Sequence, residues 1–163
     1  MFVSFIDALY AAGFVPDRVA QMELYAWLVG SWEMDAAVHA DDRTTHRGRG
    51  EVHAGWVLAG RAIQDVWILP GFFHGTTLRI YDPGRDAWHI LWNDPLKQYY
   101  ARQIGRPRGD AIVQEGINDA GEATRWSFSD ITPNGFRWRG ERSCDGGATW
   151  ELQAELMFRR VAQ

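Results

Sequence analysis

The stretch LVGSWEMDA, Leu28 to Ala36, sets the reading of the whole chain. Gly30-Ser31-Trp32 stands directly before a segment that alternates apolar and polar residues, as a half-buried strand does. What precedes it does not alternate. Ile6, Leu9 and Tyr10 share a helical face, and Gly13 with Pro16 stop that segment. A second short helix is expected from Asp17, its N-cap, to about Leu28, with Val19, Met22, Tyr25 and Ala26 at helical spacing. The 163 residues read as one domain, with a helical lead-in over 1–29 and strands over 30–161.

From Gly30 onward the two-residue period is broken at regular intervals. The breaks are ADDRT, LAGR, LPGFFHG, YDPGRD, WNDPLK, GRPRGD, NDAGE, TPNGF and CDGGAT. Each carries Gly, Pro, Asn or Asp, the residues that supply positive or fixed φ in turns. Nine breaks imply ten short strands. Consecutive hairpins predict an up-and-down antiparallel β-barrel rather than a sandwich, since closure removes the exposed sheet edges. The two helices are expected across one mouth of the barrel, plugging it with their apolar faces or serving as a mobile lid.

Composition narrows the function. A net charge of −4 and a pI near 5.7 argue against nucleic acid. The basic clusters Arg47/Arg49 and Arg137/Arg139/Arg142 are interleaved with acidic or apolar residues. The start, MFVSFIDALYAAGF, lacks the positive region of an export signal and carries Asp7, and no apolar run suffices to span a bilayer. Cys144 is the single cysteine, which precludes an intramolecular disulfide and suits a cytoplasmic setting. Nine Trp point to a thick aromatic core or to an aromatic-lined cavity.

Here the G-x-W gains meaning. Gly30-Ser31-Trp32 opens the first strand, and Arg159 and Arg160 close the last in ELMFRRVA. With VLAGRAIQDVW, YDPGRDAW and RSCDGGATWE, these phrases resemble the calycin superfamily, and within it small bacterial lipocalin-like domains of unknown function. The resemblance implies that Trp32 packs at the closed end of the barrel with an Arg of the last strand across it. A guanidinium there can stack on the indole and hydrogen-bond to loop carbonyls. The nitric-oxide-binding haem barrels, another ten-strand calycin branch, place a haem-ligating His on a late strand. His39, His46, His53, His74 and His89 all precede the sixth strand, so no haem or other cofactor is expected. Ser143 to Trp150, SCDGGATW, matches the Asp-box turn of sialidase-like propellers, but occurs once and reads as a structural hairpin.

Hairpin arithmetic suggests which side chains face inward. Centring the last hairpins on TPNG and DGGA puts Trp126, Phe128, Arg137, Arg139, Glu141, Trp150, Leu152, Ala154, Leu156 and Phe158 on one face, the more apolar and hence the interior one. A one-residue bulge would instead turn Phe136 and Trp138 inward and leave the Arg residues outside. Inward Arg residues near the C-terminus resemble those with which fatty-acid-binding barrels hold a carboxylate. About YDPGRD and WNDPLK, the face with Arg79, Tyr81, Trp88, Ile90, Trp92 and Tyr99 is expected inside. His89 and Tyr100 fall opposite, as cross-strand partners. His39 and His46 come out facing one another, with no third ligand to make a metal site. Asp65 in AIQDVW points either to solvent or inward to an Arg.

The first expectation is therefore a barrel that binds a small apolar molecule carrying a polar or anionic group. Trp88, Trp92, Tyr99, Trp126 and Trp150 would form its wall, with Arg137 and Arg139 as anchor. An enzyme in the same cavity, with Asp65, His89 and Tyr100 as acid–base groups, is the second. A solidly filled structural module is the third. A homodimer is left open.

Overall fold

The computed structural model describes residues 1–162. A short helix α1 (Phe5–Leu9) leads into β1 (Tyr10–Ala11), a 3-10 turn (Pro16–Arg18) and helix α2 (Val19–Ala26). Ten long strands follow: β2 (Gly30–His39), β3 (Thr45–Val57), β4 (Ala62–Leu69), β5 (Phe73–Asp82), β6 (Ala87–Asp94), β7 (Tyr99–Arg108), β8 (Ala111–Asn118), β9 (Ala123–Thr132), β10 (Gly135–Ser143) and β11 (Glu151–Arg160). Each of the nine expected breaks overlaps a junction between successive strands. Each strand pairs antiparallel with the next, and β11 returns to pair with β2, closing the barrel. β1 extends the sheet by pairing with the end of β3 beyond the reach of β2.

The closing pair runs from Ala154 opposite Val38 to Arg160 opposite Trp32. At this seam it is Arg160 that crosses Trp32. The Arg160 guanidinium lies 4.0 Å from the Trp32 ring centroid. It donates to the carbonyls of Pro133 (2.6 Å), Val29 (2.8 Å) and Trp27 (2.7 Å). Trp32 is fully buried and donates its indole N–H to Leu28 O at 2.8 Å. Gly30 has φ +128°, and a Cβ there would lie 2.5 Å from Arg160 Nη1. Glycine is thus required both for conformation and for room. Arg159 points the other way, to Asp35 at 2.7 Å.

The helices behave differently from one another. α2 buries Met22 and Tyr25 and closes this end of the barrel, with Tyr25 edge-on to Trp88 at 5.0 Å. α1 buries nothing, so only α2 acts as the plug. Asp17 is not an N-cap: the cap position is Arg18, without a side-chain bond, and Asp17 pairs with Arg61 at 3.6 Å. None of the described helices is long and apolar enough to cross a membrane.

Two bulges correct the expected facing of the last strands. Asp130 has φ +52°, and the register slips so that Arg137 faces Ser129 and Trp138 faces Phe128. Phe136 and Trp138 therefore point inward, and Arg137 and Arg139 outward. Phe136 stacks on Phe158 with ring centroids 4.2 Å apart. Outside, Arg137 pairs with Asp130 at 2.7 Å and Arg139 with Glu155 at 3.4 Å. The bulge forfeits roughly one ladder hydrogen bond, about 1 kcal/mol. The unbulged register would bury two guanidiniums at several kcal/mol each and expose two aromatics at about 2–3 kcal/mol each. The bulge wins by a wide margin. In β11, Gln153 is the extra residue, so Glu141 faces Leu152 on the outside, where Glu141 binds Arg125 at 2.8 Å. Trp150 is likewise outside, its ring 4.0 Å below the Arg125 guanidinium.

The Asp-box hairpin is held by its own side chains. Asp145 accepts from Thr149 N at 2.8 Å, from the Thr149 hydroxyl and from Ser143 Oγ. Gly146 and Gly147 take φ +71° and +95°. The Thr149 and Ser143 bonds hold the Asp145 carboxyl down at about 2.

Two outcomes follow. Arg160→Ala removes three charge-assisted bonds and should cost about 3 kcal/mol, read as a lower urea midpoint at unchanged slope. Arg160→Lys should restore little of it, since an ammonium cannot fork to three carbonyls. Asp145 is ionised further into acid when folded than when unfolded, so it stabilises the fold above about pH 4 and that contribution fades towards pH 2. The thermal-midpoint gap between wild type and Asp145→Asn should accordingly narrow as pH falls through that window.

Candidate functional site

At the end opposite α2 the barrel opens on a cavity of about 490 Å³. Its walls are the indoles of Trp67, Trp92, Trp126 and Trp138 with the rings of Phe72 and Phe73. Strand alternation puts them there: Trp126 from β9 and Trp138 from β10 meet at 5.7 Å, Trp138 meets Trp67 of β4 at 5.9 Å, and Trp92 of β6 meets Trp126 at 6.3 Å. These are edge-on or tilted contacts, which leave ring faces free.

The inner limit of the cavity is polar. Arg79 of β5 is 1% exposed and forms an ion pair with Asp65 of β4, also 1% exposed. Asp65 Oδ1 accepts from Thr77 N at 3.0 Å. Arg79 Nε donates to Gln114 Oε1 at 3.3 Å, and the Tyr25 hydroxyl donates to the same oxygen at 2.9 Å. The guanidinium also lies over the Tyr25 and Phe128 rings, at 5.3 and 5.6 Å. Burial pushes the Tyr25 phenol well above its ordinary range, so it serves as a hydrogen-bond donor. This group separates the packed lower half of the barrel from the open upper half. Its formal charge sums to zero.

The rim mixes charges. Lys97, Arg142, Asp94 and Glu122 all line it. Arg142 is already paired with Asp41 and with Glu151 at 3.3 Å. Asp94 caps the β6–β7 turn, accepting from Leu96 N at 3.0 Å and Lys97 N at 3.2 Å. Glu122 accepts from Asn118 Nδ2 at 2.9 Å, which holds its carboxyl below the usual range.

Of the residues chosen from sequence, Trp92, Tyr99 and Trp126 line the cavity. Trp88 faces inward but lies below the polar group, against Tyr25. Arg137, Arg139 and Trp150 are outside the barrel wall, as the bulges require. Asp65 takes the inward option, with Arg79 as partner. His89 does not join it: His89 faces outward, 2.8 Å from Asp82. Nor is Tyr100 its cross-strand partner, for His89 lies opposite Ile104 and Tyr100 opposite Asn93. Tyr100 is exposed and donates to Gln98 at 3.1 Å. The barrel wall thus divides the three acid–base candidates. His39 lies opposite Thr45 and His46 opposite Val38, one residue out of step, so the two imidazoles are on opposite faces. Sequence reasoning passed over Trp67, Trp138, Phe72, Phe73 and Arg79 as site residues. A signal existed for two of them: Ile63, Asp65, Trp67 and Leu69 share one face of a strict alternation, and Arg79 stands on the face of Trp88 and Trp92.

No protein-family model matches the chain, and no curated protein matches its sequence. Solved structures do resemble it in shape. The S-type phycobiliprotein lyase CpeS of Guillardia theta superposes with a TM-score of 0.64 over 91% of this chain and 99% of that one, at 13% identity. Rv2717c of M. tuberculosis gives a TM-score of 0.62 over 91% and 99%, at 14% identity. The shared fold is a closed antiparallel barrel. At such identities the likeness is one of architecture, so the side chains of this cavity must speak for themselves.

The buried pair generates a prediction. Arg79→Met leaves Asp65 uncompensated and should cost about 3–5 kcal/mol, while Asp65→Leu with Arg79→Met should recover most of that. Chemical denaturation of the two variants reads the difference.

Proposed function

We propose that this protein binds a small, largely aromatic molecule in the open half of its barrel. The observation that carries the reading is the 490 Å³ cavity walled by four indoles and two phenyl rings. Pockets of this size and lining are the usual form of small-molecule sites. A filled structural module would have used those side chains to occupy the lumen, as the lower half does with Trp32, Phe128, Phe136 and Phe158. Binding is favoured over catalysis because Asp65 is committed to Arg79 and the other two acid–base candidates lie outside the wall. Trp92, Tyr99 and Trp126 serve as wall, with Trp67 and Trp138. The anchoring role first given to Arg137 and Arg139 has no support inside the cavity.

The test is a titration with N-phenyl-1-naphthylamine, which fluoresces strongly only when shielded from water. The expected outcome is a saturable, blue-shifted enhancement with quenching of Trp emission. Ala154→Phe, which projects a ring into the cavity from β11, should weaken uptake at least tenfold while the thermal midpoint holds. Absence of uptake by the wild type, or equal uptake by both proteins, would count against the reading.

A further inference from the structure

One barrel strand has a free edge. β2 and β3 pair without a break from Gly30 opposite Ala54 to His39 opposite Thr45. β4 pairs with β3 only from Glu51, opposite Ile68, onward. The arm from Thr45 to Gly50 therefore has a strand on one side alone. Alternation shows which backbone groups are left over. Ala40 N donates to Thr44 O at 2.9 Å, so even-numbered residues of β3 turn their backbone groups to β2 and odd-numbered ones away from it. Past the Glu51–Ile68 pair, the same register would set Arg49 opposite Pro70, which has no N–H to donate, and the ladder stops. The chain after Ile68 turns beneath the arm instead of running beside it. A Cβ on Gly50 would collide with Ile68 O, and the Phe72 ring comes to 5.9 Å from that of His46. Thr45, Arg47 and Arg49 are exposed. Among the described residues, no loop or side chain bonds the N–H or carbonyl that each presents at this edge.

The edge is also positively charged. Arg47 and Arg49 stand two residues apart on the outer face, and Arg43 is exposed at the tip of the β2–β3 hairpin. Arg43 and Arg47 have no ion-pair partner among the described residues, and Arg49 reaches only Asp35, at 3.5 Å, with its side chain 89% exposed. The neighbouring carboxylates are engaged elsewhere: Asp35 by Arg159 at 2.7 Å, Asp41 by Arg142, and Asp42 by Thr44 N at 2.9 Å. An unpaired strand edge is a template for a further strand. A second copy of this chain does not suit it, because two such arms set edge to edge would bring Arg47 and Arg49 of each against the other.

We infer that the Thr45–Gly50 edge takes an extended peptide as an added strand, with acidic side chains at alternate positions. Main-chain bonds to Thr45, Arg47 and Arg49 hold the peptide, and carboxylates beside Arg47 and Arg49 select it. The opposite face of the peptide lies towards the half-buried Phe72 ring and is apolar. This assigns the outer wall a partner distinct from any molecule in the cavity.

The experiment titrates three seven-residue peptides into ¹⁵N-labelled protein: one alternating Glu and Val, one alternating Lys and Val, and one of the first composition with its Glu residues contiguous. The alternating Glu/Val peptide should bind saturably and more tightly than the other two. The amide resonances of Thr45, Arg47 and Arg49 should move downfield and gain exchange protection, while those of His46 and Gly48, already bonded to β2, hold. Arg47→Glu with Arg49→Glu should weaken that peptide about tenfold and admit the Lys/Val one. Both residues lie outside the cavity, so N-phenyl-1-naphthylamine uptake and the thermal midpoint should be unchanged. No saturable binding, equal binding of the Lys/Val or the contiguous peptide, or shifts that spare the three odd-numbered amides overturns the inference. So does slow exchange of those three amides in the free protein, which would show the edge already paired.

Discussion

The barrel is sealed where its last strand meets its first, and one side chain does most of the sealing. Arg160 lies flat on Trp32 and reaches three carbonyls that belong to different parts of the chain: Trp27 after α2, Val29 at the start of β2, and Pro133 in the β9–β10 turn. A planar cation with several fixed donors suits such a junction, because loop carbonyls at a closed end have no strand partner to satisfy them. Gly30 makes room for it. Once that seam is fixed, β2 to β11 have one register in which the ring closes, and α2 has one place to lodge.

What the closed end leaves unfilled becomes the site. The lower half is packed by aromatics in edge-to-face contact, with Tyr25 inserted from α2. The buried Asp65–Arg79 pair marks the boundary. Such a pair contributes little net stability, since desolvation offsets most of its attraction. Here it joins side chains from β4, β5, β8 and α2 in one hydrogen-bonded group. Above it the same strands carry aromatics too far apart to fill the lumen. Depth, floor and wall of the cavity thus all follow from where polar and aromatic residues fall along β4, β5, β6, β9 and β10.

Much of this was legible in the chain itself. The nine turn sequences marked the ten barrel strands, β2 to β11, because the residues that permit positive or fixed φ are few and local. The G-x-W and the final Arg residues marked the seam. Trp92 and Tyr99 share one inner face because the β5–β6 and β6–β7 hairpins pair without slippage, and Trp126 of β9 precedes the Asp130 bulge. The partner of Asp65 was not legible: outward and inward placements differ only in whether an Arg from another strand arrives beside it, and Arg79 is fourteen residues away.

The sequence by itself determined a ten-strand barrel, its turns and its sealing pair, all of which rest on local backbone preference or on residues at the two ends of one pattern. Only the tertiary structure decided which side of β10 meets the lumen. A strand alternates every residue, so the single extra residue at Asp130 reverses the side chains of β10, sending Phe136 and Trp138 in and Arg137 and Arg139 out. That choice was settled by the whole barrel, in which aromatic burial and guanidinium hydration together outweigh the one ladder bond that the bulge gives up.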